Sequence, residues 1–123
     1  FLAREKGQAE KKYQKAIELY IKATLYDPNF YQAYCNIGAC YRLLNRFAES
    51  RKYYKKSISI KPDDAISRYN LGNVERLLGN YEESIIHYSF VIDLKEKEGR
   101  DIVSLHLDSL INLGISYKNK DLF

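Results

Sequence analysis

A shift of 34 residues lays this chain on top of itself, and that self-similarity limits the possible folds more than any other property. It aligns Pro28 with Pro62, Ile37-Gly38 with Leu71-Gly72, Leu43-Leu44 with Leu77-Leu78, and Glu49-Ser50 with Glu83-Ser84. Three series run through three copies: Tyr13, Phe47 and Tyr81; Ala16, Ser50 and Ser84; Tyr20, Tyr54 and Tyr88. A fixed period of this length marks one supersecondary unit stacked on copies of itself. After Leu71-Gly72 the next match is Leu113-Gly114, 42 residues on, so about eight extra residues near Gly99 to His106 separate the last two copies.

Each copy divides into two helical patterns. Tyr34, Ile37, Gly38 and Tyr41 fall at three- and four-residue steps, which is one face of an α-helix over Tyr31 to Leu44. Ser50, Tyr54, Ser57 and Ile58 mark a second helix over Phe47 to Ile60. Asn45-Arg46 and Gly79-Asn80 suit the turns between helices, while Pro28 and Pro62 separate copies because proline cannot donate the i to i−4 hydrogen bond. A glycine within a helix costs about 1 kcal/mol relative to alanine, so Gly38, Gly72 and Gly114 at one recurring place require close packing. The expectation is that Gly38 meets Ser50 and Gly72 meets Ser84, with Tyr54 and Tyr88 filling the space between successive hairpins.

Composition narrows the class. Hydrophobic residues make up 46% of 123 residues, with only two prolines, which fits one ordered domain with an elongated core. No apolar run approaches the roughly 18 residues that span a bilayer, so no membrane partner is expected. Cys35 and Cys40 lie five apart, about 140° around a helix, which argues against a mutual disulfide and for a reducing compartment. The ends of the chain read as those of an excised segment of something longer.

The period, the helix pair, the Leu-Gly step, the spaced tyrosines and the closing proline together resemble the tetratricopeptide repeat family. The resemblance covers nearly the whole chain: a partial repeat over 1–30 with a frayed first helix and a good second one, repeats at 31–64 and 65–98, a linker or extended helix at 99–106, and a partial repeat at 107–123. It implies an all-α solenoid of stacked antiparallel helix pairs in a right-handed superhelix. It further implies a non-enzymatic module that binds an extended or helical segment of a partner protein along a concave groove lined by the first helices.

Asn36, Asn70 and Asn112 occupy one place in three successive copies, each two residues before its glycine. An amide offers a donor and an acceptor, so a ladder of them can hold a peptide backbone without selecting side chains. The ladder resembles the one along the tetratricopeptide groove of O-GlcNAc transferase. Arg42, Arg76 and Lys118 follow six residues after each asparagine and suit acidic side chains of a ligand, or else form an ordinary charged rim. Tyr69 and Ile66 complete the candidate groove. Family members that grip the C-terminal carboxylate of chaperones need basic residues where this chain has Cys35, Asp108 and Asn112; only Asn70 matches, so that specificity is disfavoured.

No phosphate loop, nucleophile elbow or metal motif is present, so neither an enzyme nor a cofactor is expected. His87 and His106 stand isolated in the sequence. A pI near 9.0 and twelve tyrosines raise nucleic acid as a partner, but 16 acidic against 20 basic residues, and tyrosines at repeat positions, disfavour it. The remaining alternative is architectural: a stretch of a longer solenoid packing laterally in a large assembly, such as ciliary or transport machinery. A cytoplasmic scaffold, in the cytosol or associated with the cytoskeleton, is the expected setting.

Overall fold

A computed structural model describes residues 2–120. Six helices account for its regular structure: α1 (Leu2–Tyr26), α2 (Tyr31–Leu43), α3 (Phe47–Ile60), α4 (Ala65–Leu77), α5 (Tyr81–Glu96) and α6 (Val103–Lys120), with no strand among the described residues. The all-α expectation holds. The helices gather into two compact units, the first ending at Ile60 and the second starting at Lys61. No helix of the described residues is long and apolar enough to cross a membrane.

In the first unit α2 packs on both α1 and α3. Ile17, Ile37 and Cys40 form its buried centre, ringed by Tyr13, Tyr20, Tyr34, Tyr41 and Tyr53 among others. The aromatic ring is ordered by stacking: the Tyr41 and Tyr53 centroids lie 5.6 Å apart at 19°, and the Arg46 guanidinium sits 5.2 Å over Tyr41. Cys35 and Cys40 are both buried thiols, free of any disulfide.

The turn of this hairpin depends on one backbone conformation. Asn45 has φ of 58°, and around it the Asn45 N–H donates to the Arg42 carbonyl and the Arg46 N–H to the Tyr41 carbonyl, both at 2.9 Å. That paired pattern closes a helix with a left-handed residue after its end. Gly79, with φ of 82°, repeats it in the second unit, where Asn80 N–H reaches the Glu75 carbonyl at 2.8 Å. One repeat before Asn45 stands Lys11, whose Cβ disfavours the left-handed region. The helix therefore does not break there. The two helices expected over 1–30 are one continuous helix, Leu2–Tyr26.

In the second unit α5 packs on both α4 and α6. Asp64 caps α4, its Oδ2 accepting the Ser67 N–H at 3.1 Å and the Ser67 hydroxyl at 2.6 Å. Glu96 stands where Pro62 stood one repeat earlier, and without the proline α5 runs on to Glu96 before Gly99, with φ of 71°, turns the chain. Arg100 then reaches back to the α4 entry: Nη1 donates to the Asp63 carbonyl at 2.7 Å and Nη2 pairs with its carboxylate, which the guanidinium holds below the ordinary aspartate pKa.

The recurring glycines are explained differently from the expectation. Ser50 does meet Gly38, its hydroxyl donating to the Gly38 carbonyl at 2.7 Å. Ser84 instead donates to the Tyr81 carbonyl at 2.7 Å and its oxygen lies 2.8 Å from the Ser116 hydroxyl, from which it can accept, tying α5 to α6. At Gly38 and Gly72 the hollow left by the missing side chain holds a tyrosine ring of the same hairpin, whereas a Cβ on Gly114 would meet nothing within 4 Å, so the close packing expected there is not found. A Cβ on Gly38 would lie 2.9 Å from the Tyr54 ring, and one on Gly72 would lie 2.8 Å from the Tyr88 ring. These two rings, both fully buried, thus pack within hairpins, on the glycine of the partner helix.

Candidate functional site

The eight candidate residues divide between the units. Asn36 and Arg42 lie on α2; Ile66, Tyr69, Asn70 and Arg76 lie on α4, and Asn112 and Lys118 on α6. Asn36 and Lys118 are exposed, whereas Asn70 and Asn112 are half-buried. The three equivalent asparagines therefore stand in different surroundings.

Asn112 is anchored. Its amide nitrogen donates to the Tyr69 hydroxyl at 3.1 Å and to Asn73 Oδ1 at 3.3 Å. Asn73 Oδ1 also accepts the Tyr88 hydroxyl, which in turn accepts from Arg76 Nε at 3.3 Å. The Tyr69 and Tyr88 rings meet at 6.0 Å. This network links α4, α5 and α6 and uses both amide protons of Asn112, leaving its carbonyl as the group to be offered outward. Sequence reasoning missed Asn73. The available signal was its polarity: the same place one repeat earlier is Ala39, and the place of Tyr69 is Cys35, so the anchoring pair occurs once.

The arginines turn inward. Arg42 Nε and the Tyr54 hydroxyl are both buried without a hydrogen-bond partner among the described residues, whereas Arg76 Nε donates to the Tyr88 hydroxyl. Burial pushes the Tyr54 phenol up to about 12, against the opposing pull of Arg42, and raises Tyr88 for the same reason. Both phenols keep their protons more tightly folded than unfolded. Their contribution is full below the ordinary tyrosine pKa of about 10 and is lost as pH rises through the folded values. Stability should fall by about 2 kcal/mol between pH 10 and 12 for Tyr54 alone. Phenolate absorbance at 295 nm should show the last tyrosines ionising together with unfolding; ionisation of all twelve before the helical signal falls would refute this.

Ile66, Tyr69, Asn70 and Asn73 follow three- and four-residue steps on α4, so they share one face, with Ile66 exposed at its start. Asn112 meets that face from α6. The result is a patch in the second unit with an apolar contact, a fixed amide and two tyrosine-supported polar groups.

Tetratricopeptide repeat family models match this chain at residues 31–64 and again at 53–86. Together the matches make residues 31–86 similar to tetratricopeptide-repeat sequence. The second match begins on α3, 22 residues after the first, so the two frames overlap over 53–64, the latter half of α3 and the turn after it. A comparison with curated protein sequences returned no match. Among solved structures the MamA protein is similar, at 21% identity and TM-score 0.77 over 89% of this chain, which spans 56% of that one. The Sgt2 tetratricopeptide domain of Aspergillus fumigatus matches over 95% of this chain and 74% of its own, at 19% identity and TM-score 0.75. The second tetratricopeptide domain of human RPAP3, solved in complex with the HSP70 peptide SGPTIEEVD, matches over 92% of both chains at 19% identity and TM-score 0.71. At these identities the likeness is one of fold.

Proposed function

We propose that the chain is a non-enzymatic protein-interaction module whose α4–α6 face holds an extended peptide of a partner protein. The observation that carries this reading is the fixed orientation of Asn112 by Tyr69 and Asn73, beside Asn70 and the exposed Ile66. A polar group already immobilised loses little freedom when it binds, so its hydrogen bond to a peptide backbone contributes more to affinity. The RPAP3 complex supports the peptide class of ligand for this fold. In this chain the ligand is held through its main chain rather than its terminal carboxylate, because Asp108 is exposed on α6 where a carboxylate-gripping domain needs a cation. The two buried thiols, neither in a disulfide, fit a reducing, cytoplasmic setting.

Selection of this module against a library of displayed linear peptides tests the proposal. Enriched peptides should lose at least tenfold in affinity for the Asn70→Ala/Asn112→Ala protein and keep their binding in moderate salt. In fluorescence anisotropy, SGPTIEEVD with a free carboxyl end should bind no better than its amidated form. No enrichment, or enriched peptides indifferent to both substitutions in a folded protein, would refute the assignment.

A further inference from the structure

We propose that Glu75, Glu83 and His87 bind a divalent cation of the zinc class where α4 and α5 cross. One ligand atom of each, two carboxylate oxygens and an imidazole nitrogen, lie within 4.8 Å of one another. Glu83 and His87 are four residues apart on α5, which sets them on one face, and Glu75 meets that face from the last turns of α4. Glu75 is 0% and His87 6% exposed, while Glu83 opens to solvent and leaves an entry path.

Comparison of the two units shows how unusual this cluster is. The places of Glu75, Glu83 and His87 one repeat earlier are those of Tyr41, Glu49 and Tyr53. There the crossing is filled by the stacked Tyr41 and Tyr53 rings. The second unit replaces that aromatic pair with a carboxylate and an imidazole in the same sheltered place, giving up apolar burial and desolvating polar groups. Mixed imidazole and carboxylate ligation suits Zn2+ or Co2+, with three protein ligands and water in the fourth position. Asn80 steadies the site, its Nδ2 donating to Glu75 Oε1 at 3.4 Å. Arg68 opposes it: its Nη1 lies 3.4 Å from His87 Nδ1, while Nε holds the Pro62 carbonyl at 2.8 Å and the guanidinium covers the Phe90 ring at 4.2 Å. The cation competes with this charge for the imidazole, so removing it should tighten binding.

The test is titration of the chelator-stripped chain with Co2+, followed by visible absorption and calorimetry, with far-UV circular dichroism as the folding check. One equivalent should bind saturably and give d–d bands. His87→Gln should abolish them, Glu83→Gln should weaken binding at least tenfold, and Arg68→Met should strengthen it. Glu83 is exposed, so its variant stays folded and decides the matter even if His87→Gln does not. Absence of saturable one-to-one uptake by the folded chain, an affinity unchanged in Glu83→Gln, or a thiolate-to-cobalt charge-transfer band placing the ion on Cys35 or Cys40 would overturn the proposal.

Discussion

Tyr54→Ala is expected to lower the unfolding free energy by about 3–5 kcal/mol, the range for emptying a large aromatic from a packed interior. Tyr54 is fully buried, and its ring lies where a side chain on Gly38 would be. The same geometry predicts a change of sign. Gly38→Ala in the native background gains helix propensity of about 1 kcal/mol but forces a Cβ to 2.9 Å from a ring with no room to move, so it should destabilise by about 1–2 kcal/mol net. In the Tyr54→Ala background the clash is gone and the propensity gain remains, so the same substitution should stabilise. Urea unfolding of the four proteins completes the cycle. Equal effects of Gly38→Ala in both backgrounds would show that the glycine is not there for the ring.

Ser116→Leu should cost about 3 kcal/mol and detach α6, because overfilling a close helix crossing cannot be absorbed by rotamer changes alone. Ser116 is fully buried and its hydroxyl lies 2.8 Å from that of Ser84. Ser116→Ala is the control: Ser84 keeps its bond to the Tyr81 carbonyl, so the loss should be small. Since α6 carries Asn112, peptide binding should disappear with Ser116→Leu and survive in Ser116→Ala. Protease cleavage within 103–120 reports the detachment directly. If Ser116→Leu unfolds with a native midpoint, the serine contact does not hold the helix.

Helix positions beyond residue 30 were legible in the sequence because they rest on local signals: the apolar steps of Tyr34, Ile37 and Tyr41, the prolines, and Asn45 or Gly79 at the turns. Ser50 was legible as a partner of Gly38, but the ring filling the glycine's hollow was not, because i to i+12 and i to i+16 across a hairpin differ by one helical turn and the period alone does not separate the contact of Ser50 from that of Tyr54. The asparagine ladder was readable as a pattern of identity, yet the network fixing Asn112 depends on Asn73 and Tyr69, which lie about 40 residues earlier and only meet it through folding. His87 stood alone for a related reason. Its carboxylate neighbour Glu75 lies on another helix, 12 residues away, and no short motif joins them.

The unbroken α1 has a consequence of its own. Twenty-five residues at 1.5 Å each make a rod of about 38 Å, nearly twice the length of the 13-residue α2 beside it, and Ile17 is its one fully enclosed side chain. What separates this rod from a further hairpin is the handedness available to a single backbone position: lysine at position 11 where later copies place asparagine or glycine. Exchanging lysine at position 11 for asparagine or glycine would remove the local steric bar to a left-handed turn there, so the length of this rod is tied to one residue's freedom to turn left.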